Sequence, residues 1–494
     1  MVQLDSINWL ARQAVKGDSM AFQRYRKGWS FAVGSVLSGS LAVLASAQAP
    51  AHYQATIQSL DQHPLPQWYD GAKLGIFIHW GLYSVPGWAP LEQVNFQKTD
   101  FFKTNPYAEW YYNTMRIDGS PTQQYNREHY GADHDYYSFA EEFDSKSRGF
   151  NPDTWAKVFK DAGAKYVVLT TKHHEGFTLW PSATPNPVLP AARQHATRDL
   201  VGDLAAAVRK QGLKMGLYYS GGFDWTFVPG PITSQSTFES TKPQSPAYGK
   251  YVDAHYRELI ARYHPSVLWN DIDYPKSGHP LEIQAEYYNA VPDGIVDDRF
   301  GIKHADFTSP EYSTLKDINP KKWEECRGLG QSFGYNRAEG EAQTIAPDKL
   351  IYLLVDIVSK NGNLLLDVGP EADGTIAAVQ MERLKALGAW LGQNGEAIYG
   401  SHPWKRAEGK TTDGVDVRFT QNNSNLYAAI LGEIGGPAVI LTSLKPAAGA
   451  KITLLGDDQP LAWSQAGDDI KVTLPPKLPG KYAYVLRIEH SESM

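Results

Sequence analysis

The sequence predicts an α/β protein: a (β/α)8-like barrel of the TIM type, regular or irregular, followed by a small antiparallel β-sandwich. From about residue 70 to 400, short apolar runs alternate with amphipathic helical stretches, as in a parallel sheet that is covered on both faces. After Ser401 the chain turns to short β-rich segments separated by Gly, Pro, Asn and Asp. Because no G-x-G-x-x-G follows the first strand, a barrel fits the first part better than an open dinucleotide-binding sheet.

Six apolar runs are the predicted strands of the barrel, and helices are predicted between them. One helix is expected to begin at Pro152, because proline fits the first helical position. A second, over 198–212, carries apolar residues with helical spacing and stops at Gly212, and a third is predicted over 347–362. The strands are predicted over residues 74–80, 166–171, 214–220, 266–271, 294–300 and 364–370.

Residues 1–47 are predicted to be a signal peptide. A basic stretch around Arg24 precedes an apolar run rich in small residues, and Ala45-Ser46-Ala47 offers an A-x-A cleavage site. The run has about 17 residues, which is short for a membrane span. Met20 stands where the basic region would begin, so translation is predicted to start there.

The predicted domains of the mature chain follow from this boundary. The barrel is expected in 48–400 and the β-sandwich in 401–494. The protein is expected to be exported, to the periplasm or out of the cell, with no stable membrane insertion after cleavage. The sequence is compatible with an oligomer.

Charge and cysteine content exclude several classes of protein. The net charge is −7, from 47 basic and 54 acidic residues without long basic runs, so nucleic acid is not an expected partner. The single cysteine, Cys326, allows neither an intrachain disulfide nor a four-thiolate zinc site. Aromatic residues make up 12% of the chain, which is common where sugar rings are stacked upon and also in large cores.

Polar side chains recur where the predicted barrel strands end. In barrels of this type the strand interiors pack and the chemistry gathers at the carboxyl ends of the strands. Five ends that carry titratable groups are therefore expected to meet on one face. These residues are His79, Trp80, Lys172, His173, His174, Glu175, Tyr218, Tyr219, Ser220, Asp271, Asp298 and Arg299.

The residue types favour a pair of carboxylates over other chemistry. Adjacent histidines such as His173 and His174 point in different directions, and no H-E-x-x-H is present, so no metal is predicted. Ser220 lacks the preceding glycine of a G-x-S-x-G elbow. Two carboxylates with aromatic and neutral histidine support are typical of glycoside hydrolases, which need no cofactor.

Eight motifs in order resemble the α-L-fucosidases of glycoside hydrolase family 29. The resemblance runs from about residue 60 to 400 and reaches into SHPWKRAEG. It implies a retaining exo-enzyme that releases terminal α-L-fucose from fucosylated glycans or oligosaccharides, with a distorted (β/α)8 barrel, a C-terminal β-sandwich and no metal. The motifs are WYDGAKLGIFIHWGLYSVPGW, PYAEWY, KHHEGFTLW, YYSGGFDW, LWND, DDRFG, WEECRGLGQSFGYN and LLLDVGP.

The resemblance also implies roles for individual residues. Asp271 corresponds to the nucleophile and Asp273 to a loop residue, although spacing alone allows either acid. Eight residues would line the fucose pocket, where imidazoles and a carboxylate hold ring hydroxyls and tryptophans form apolar walls. They are His79, Glu109, Trp110, His173, His174, Tyr218, Trp269 and Arg299.

The general acid/base has two candidates, Glu311 in DFTSPEY and Glu324 in KKWEEC. Glu311 is preferred, because a flexible loop after the DDRFG strand is where enzymes of this family supply their acid. Phe333 is expected at the pocket edge or in the core. The alternative function is a catalytically inactive fucose-binding lectin on the same barrel, which predicts loss of the acid pair.

Two further expectations concern the end of the barrel and the C-terminal domain. Asp367 in LLLDVGP stands where the family resemblance predicts Asn, and it is assigned no role. The C-terminal domain has only Trp404 and Trp463 as tryptophans. Without an evident aromatic platform, it is expected to be a structural cap on the barrel and not a carbohydrate-binding module.

Overall fold

The structure is a computed structural model that describes residues 52–93, 95, 98–228, 230–457 and 459–489. The predicted signal peptide and Met20 lie outside these residues. Among the described residues, no helix is both long and apolar enough to cross a membrane.

Seven parallel strands form the sheet of the first domain. They are β1 (Leu74–Ile78), β2 (Tyr166–Lys172), β3 (Lys214–Ser220), β4 (Val267–Asp271), β5 (Ile295–Val296), β6 (Trp323–Gly328) and β7 (Gly362–Val368). Their order is β5-β4-β3-β2-β1-β7-β6, and all pairs are parallel. Nearly all residues of these strands are buried, as expected for a sheet with covered faces.

The segment 306–312 lies between the edge strands β5 and β6 and takes the place of an eighth strand. The backbone N–H of Asp306 donates to the carbonyl of Val296 in β5 at 3.0 Å. Further along, Thr308 and Glu311 form parallel bridges with Trp323 and Cys326 of β6. The barrel is therefore closed by irregular backbone.

Two details of the predicted strands are wrong. The run 294–300 contains only the two strand residues of β5, and Asp298–Phe300 is a 3-10 helix. Strand β6 was not predicted, since the segment WEECRG carries charged residues where an apolar run was expected.

Helices surround the sheet. The helix that was predicted to begin at Pro152 does so, and the Asn151 side chain accepts a hydrogen bond from the N–H of Asp153. The helices are Ile57–Leu60, Gln67–Ala72, Tyr111–Thr114, Pro121–Tyr130, Phe139–Ser147, Pro152–Asp161, Leu200–Lys210, Gln235–Ser240, Pro246–Tyr263, Pro280–Ala290, Pro347–Ser359 and Ala378–Asn394. Short 3-10 helices also span Leu82–Ser84, Ala108–Trp110, Tyr136–Ser138, Ala191–Arg193 and Gly395–Ala397.

The interior of the barrel combines apolar packing with one buried acid. An aromatic and aliphatic cluster that includes Tyr69, Tyr166 and Trp269 fills the space inside the sheet. Glu324 of β6 lies among these three residues with no exposed surface. The hydroxyls of Tyr69 (2.9 Å) and Tyr166 and the indole N–H of Trp269 (3.3 Å) all donate to its carboxylate.

The C-terminal part consists of two antiparallel sheets. The five-stranded sheet has the order β12-β15-β10-β9-β8 and the three-stranded sheet the order β11-β14-β13. Together with the parallel sheet they confirm the predicted fold class. The strands are β8 (His402–Lys410), β9 (Asp416–Asn422), β10 (Asn425–Ile430), β11 (Ala438–Leu441), β12 (Ile452–Leu454), β13 (Trp463–Ala466), β14 (Asp469–Thr473) and β15 (Tyr484–Ile488).

The two parts of the chain are joined by polar contacts. The indole N–H of Trp390 donates to the carbonyl of Ala483 at 2.9 Å, and Tyr352 donates to the carbonyl of Tyr482 at 3.1 Å. Trp404 packs in the core of the C-terminal sheets. These contacts fix the sheets against helices on the outside of the barrel.

Candidate active site

A cavity of about 260 Å³ opens at the carboxyl ends of the barrel strands. The structure brings all ten predicted catalytic and substrate-binding residues together at its wall, with Phe333 beside them. They come from seven strands or connecting segments that are separated in the sequence, as the barrel hypothesis requires. The ten are His79, Glu109, Trp110, His173, His174, Tyr218, Trp269, Asp271, Arg299 and Glu311.

Asp271 is the last residue of β4, and donors hold both of its carboxylate oxygens. Arg299 Nη1 donates to Oδ1 at 2.8 Å, and the backbone N–H of Ile272 donates to the same oxygen at 3.0 Å. The hydroxyl of Tyr218 donates to Oδ2 at 2.8 Å. The side chain keeps 11% of its surface exposed, so the oriented carboxylate still faces the cavity.

Arg299 connects the two candidate catalytic acids. Its Nη2 lies 3.6 Å from Glu311 Oε2, while Nη1 contacts Asp271. The guanidinium is itself held by Ser309, to whose Oγ and carbonyl it donates at 3.0 and 2.9 Å. It also lies over the ring of Trp269, 4.4 Å from the centroid. One cation therefore bridges the two carboxylates from a fixed position.

Glu311 lies on the segment 306–312. A flexible loop was predicted here, but the backbone of this segment is hydrogen-bonded to β6. The residues on both sides of Glu311 bond to Cys326 of β6. The N–H of Cys326 donates to the Pro310 carbonyl, and the N–H of Tyr312 donates to the Cys326 carbonyl. The hydroxyl of Tyr107 donates to Oε1 at 2.8 Å. Burial raises the pKa of Glu311 above its ordinary value, although the Arg299 cation and the Tyr107 hydroxyl oppose this.

Two buried histidines stay neutral near neutral pH. Burial, followed by the neighbouring His173, lowers the pKa of both His79 and His174 well below the ordinary value. For His174 the tautomer follows from its partner. The Ser220 hydroxyl donates to the Phe223 carbonyl at 2.8 Å, so His174 Nδ1–H donates to Ser220 Oγ at 2.7 Å and Nε2 is unprotonated.

Tryptophans and a buried acid form further walls of the cavity. Trp110 packs against the rings of Trp225 and Phe238. Glu109, just before it, accepts hydrogen bonds from Gly334 N–H at 2.8 Å and from Ser332 Oγ at 3.4 Å. Burial raises the pKa of Glu109 to about 8. This carboxyl therefore carries a proton at neutral pH and can donate a hydrogen bond to a ligand.

The competing acids of the sequence lie elsewhere. Asp273 does not line the cavity; it is 54% exposed and pairs with Lys242 at 2.9 Å. Glu324, the alternative acid/base, lies sealed inside the barrel and does not line the cavity either.

The backbone turns sharply after Asp271. Ile272 and Asp273 both have positive φ, 59° and 76°, which is uncommon for a β-branched residue such as Ile272. Gly222 donates its N–H to the Asp271 carbonyl at 3.0 Å. A Cβ on Gly222 would lie 1.7 Å from the Ile272 carbonyl oxygen, so only glycine fits there.

Several residues of the site were missed. Tyr107 belongs to the PYAEWY motif, but only the pairing of 306–312 with β6 shows its contact with Glu311. Asp367 was assigned no role, yet its Oδ1 lies 2.7 Å from Nδ1 of His79. The outer wall, which includes Phe102 and Phe238, comes from loops without a recognisable motif. Among the described residues no cluster of three or more His, Cys, Asp or Glu side chains is arranged to hold a metal ion.

A parallel barrel whose strand ends present two bridged carboxylates, histidines and tryptophans around a small cavity has the site of a glycoside hydrolase. A family model described as "Alpha-L-fucosidase" matches residues 40–396, and one described as "Alpha-L-fucosidase C-terminal domain" matches residues 410–489. The chain therefore belongs to the α-L-fucosidase family, as the motifs indicated.

Individual proteins agree with this assignment. The tissue α-L-fucosidase of Rattus norvegicus is 36% identical over 475 residues, which cover 92% of this chain and 95% of the relative. A crystal structure of the α-fucosidase of Thermotoga maritima is 43% identical, covers 88% of this chain and all of its own, and superposes with a TM-score of 0.82. A structure of the same enzyme in complex with fucose is 42% identical, with the same coverage and TM-score.

Proposed function

We propose that this protein hydrolyses terminal α-L-fucosides with retention of configuration, using Asp271 as nucleophile and Glu311 as general acid/base. The observation that carries the proposal is the contact of one guanidinium, that of Arg299, with both carboxylates. Retaining glycosidases need their two carboxyl groups about 5–5.5 Å apart. Asp271 and Glu311 contact the two terminal nitrogens of the same planar guanidinium, and this arrangement suits the short distance between carboxyl groups that a retaining enzyme needs.

In the first step Asp271 attacks the anomeric carbon and forms a covalent fucosyl ester. Hydrogen bonds from Tyr218 and Arg299 orient its carboxylate. The bond between the anomeric carbon and the leaving oxygen breaks, and that oxygen takes the proton of Glu311. The raised pKa of Glu311 suits this role, because an acid must still hold its proton at the working pH.

In the second step water replaces Asp271. Glu311, now a carboxylate, removes a proton from the water as the oxygen attacks the anomeric carbon and the ester bond to Asp271 breaks. The products are L-fucose and the free carboxylate of Asp271, with Glu311 protonated again.

The remaining residues are proposed to bind the fucosyl ring. Glu109, His79, His173 and His174 would form hydrogen bonds with its hydroxyls. Trp110 and Trp269 would provide apolar walls, one of them for the C5 methyl group. The complex of the Thermotoga maritima enzyme with fucose supports a fucosyl ligand.

The proposal includes fucosylated glycans or oligosaccharides as substrates and export of the protein. The substrate class is supported by the family and by the size of the cavity. Export is supported by the sequence of residues 1–47.

Hydrolysis of an aryl α-L-fucoside between pH 4 and 8 tests the proposal. We expect release of the phenol, and NMR should show α-L-fucose as the first product before mutarotation. Binding of fucose without release at any of these pH values would support the lectin alternative. Initial formation of β-L-fucose would contradict the two-step mechanism.

A further inference from the structure

Asp367 and His79 form a buried pair at the edge of the cavity. Asp367 lies near the end of β7, next to β1 in the sheet, and its side chain is completely buried. Its Oδ1 is 2.7 Å from His79 Nδ1, and His79 lines the cavity. Because Nδ1 is occupied by Asp367, Nε2 is the ring nitrogen that remains for a ligand.

The surroundings of the pair disfavour charge on either member. Asp367 Oδ2 has no hydrogen-bond partner among the described residues. The ionisable groups that act on Asp367 from packed elements are two further acids, Glu109 and Glu339, which disfavour a negative charge on Asp367 when they are ionised. Around His79 lie the rings of His173 and Tyr218, each with a centroid distance of 5.6 Å. A carboxylate in such a place is poorly solvated.

The proton on the hydrogen bond between the two residues decides what Nε2 can do. If Asp367 is a carboxylic acid, its O–H donates to Nδ1, and the ring proton must be on Nε2. If Asp367 is a carboxylate, Nδ1–H donates to it, and Nε2 is an acceptor. Burial raises the pKa of Asp367 and lowers that of His79, and both shifts favour the carboxylic acid with a neutral ring.

We propose that Asp367 is a positioning residue that makes His79 Nε2–H a hydrogen-bond donor to a substrate oxygen, and that the loss of one proton from the pair at higher pH reverses this polarity. The inference rests on the proposed function, since the ligand is the fucosyl ring. It adds a pH control of substrate binding that is separate from the two catalytic acids.

Neutron diffraction from ligand-free crystals of the full chain tests the inference without any use of activity. At pD 5 we expect deuterium on His79 Nε2 and a second deuterium between Nδ1 and Asp367 Oδ1. At pD 9 the deuterium on Nε2 should be absent. An unprotonated Nε2 at pD 5 would overturn the inference, whether or not the protein hydrolyses fucosides.

The pH dependence of KM for an aryl α-L-fucoside is the second test. In the wild type KM should rise about 2- to 10-fold as the pair loses its proton, the effect of one hydrogen bond. Asp367→Asn cannot lose this proton, so its KM should lack that titration, while the limb of the kcat profile that Glu311 sets should stay unchanged. The same KM titration in Asp367→Asn as in the wild type would contradict the inference.

Asp253→Asn is the matched control. Asp253 also pairs with a histidine, its Oδ2 lying 2.6 Å from Nδ1 of His279, but that histidine is 55% exposed and neither residue lines the cavity. The control should keep the wild-type titration of KM. If Asp253→Asn also loses the titration of KM, the loss in Asp367→Asn would be a general effect of replacing a buried aspartate with asparagine, and the role of Asp367 would be overturned.

Discussion

A partly buried glutamate lies at the open end of the barrel and a fully buried one in its closed interior, so the two differ in their access to the cavity. Glu311 at the cavity accepts from Tyr107 and keeps 18% of its side chain exposed. Glu324 in the interior accepts from Tyr69, Tyr166 and Trp269 and is completely buried. Burial raises the pKa of both. A raised pKa alone therefore does not identify a catalytic acid; contact with the cavity does.

Trp269 links the two regions. Its indole N–H donates to Glu324 below, while its ring stacks with Tyr218 and lies beneath the guanidinium of Arg299. Tyr218 and Arg299 in turn orient Asp271. We therefore expect variants in the interior to act on stability and on all substrates alike, and variants at the cavity to act on individual chemical steps.

The largest effect should come from Asp271→Gly, which removes the proposed nucleophile at the open end. We expect kcat to fall on the order of 10⁴-fold. Sodium azide should restore turnover and yield β-L-fucosyl azide, because azide can occupy the space of the lost carboxylate. An active Asp271→Gly beside an inactive Asp273→Asn would move the nucleophile to Asp273.

Substitutions of Glu311 and Glu324 should differ in how strongly their effect on kcat/KM depends on the leaving group. With a poor leaving group, Glu311→Ala should lower kcat/KM by about 10²–10⁴-fold, since no acid protonates the departing oxygen. With a dinitrophenyl fucoside, which needs no protonation, the loss should be far smaller. Glu324→Gln should affect both substrates equally. If Glu324→Gln instead shows the selective loss, the roles are exchanged.

The interior glutamate should be visible in the pH dependence of stability. Burial raises the pKa of Glu324 in the folded state to about 7, above the value of about 4.3 in an unfolded chain. Between these values the unfolded chain releases the proton and the folded chain keeps it, so the stability that Glu324 contributes falls as pH rises from about 4.5 to 7. The free energy of unfolding of the wild type, relative to that of Glu324→Gln, should fall by about 3 kcal/mol over this window.

Urea unfolding at pH 4 and pH 7.5 measures this difference. At pH 4 the glutamate is protonated in both states, so the difference reports only the altered hydrogen bonds. The prediction is contradicted if the stability of the wild type relative to Glu324→Gln stays constant or rises between pH 4 and pH 7.5.

The smallest effect should come from Asp273→Asn. Asp273 forms an exposed ion pair with Lys242, and such pairs contribute about 0–1 kcal/mol. Asparagine also tolerates the positive φ of this position. We expect kcat/KM within about twofold of wild type and a free energy of unfolding lowered by less than about 1 kcal/mol. A tenfold loss of kcat/KM would show that Asp273 takes part in the site.

The sequence was sufficient for the fold class and for ten of the residues that line the cavity. Strand ends that carry His79, His173, Asp271 and Arg299 have to meet in a barrel, so the convergence required no knowledge of side-chain contacts. The motifs then added Glu109 and Trp110, which lie in a short 3-10 helix that does not directly follow a strand.

The interior network could not be predicted in this way. Strand β6 has charged residues in place of the apolar run that predicts the other barrel strands. Its Glu324 is compensated by donors far away in the sequence, Tyr69, Tyr166 and Trp269. The partner of His79, Asp367, has no local signal either, since the contact depends on the pairing of β1 with β7.

The turn after Asp271 determines where the protein tolerates redesign. Every side chain at position 222 would strike the Ile272 carbonyl and displace the backbone that carries Asp271. A mutagenesis library for new acceptors or for synthetic use should therefore leave Gly222 fixed. Variation belongs at Phe102 and Phe238 in the outer wall, whose side chains line the cavity and make no hydrogen bond to Asp271 or Glu311.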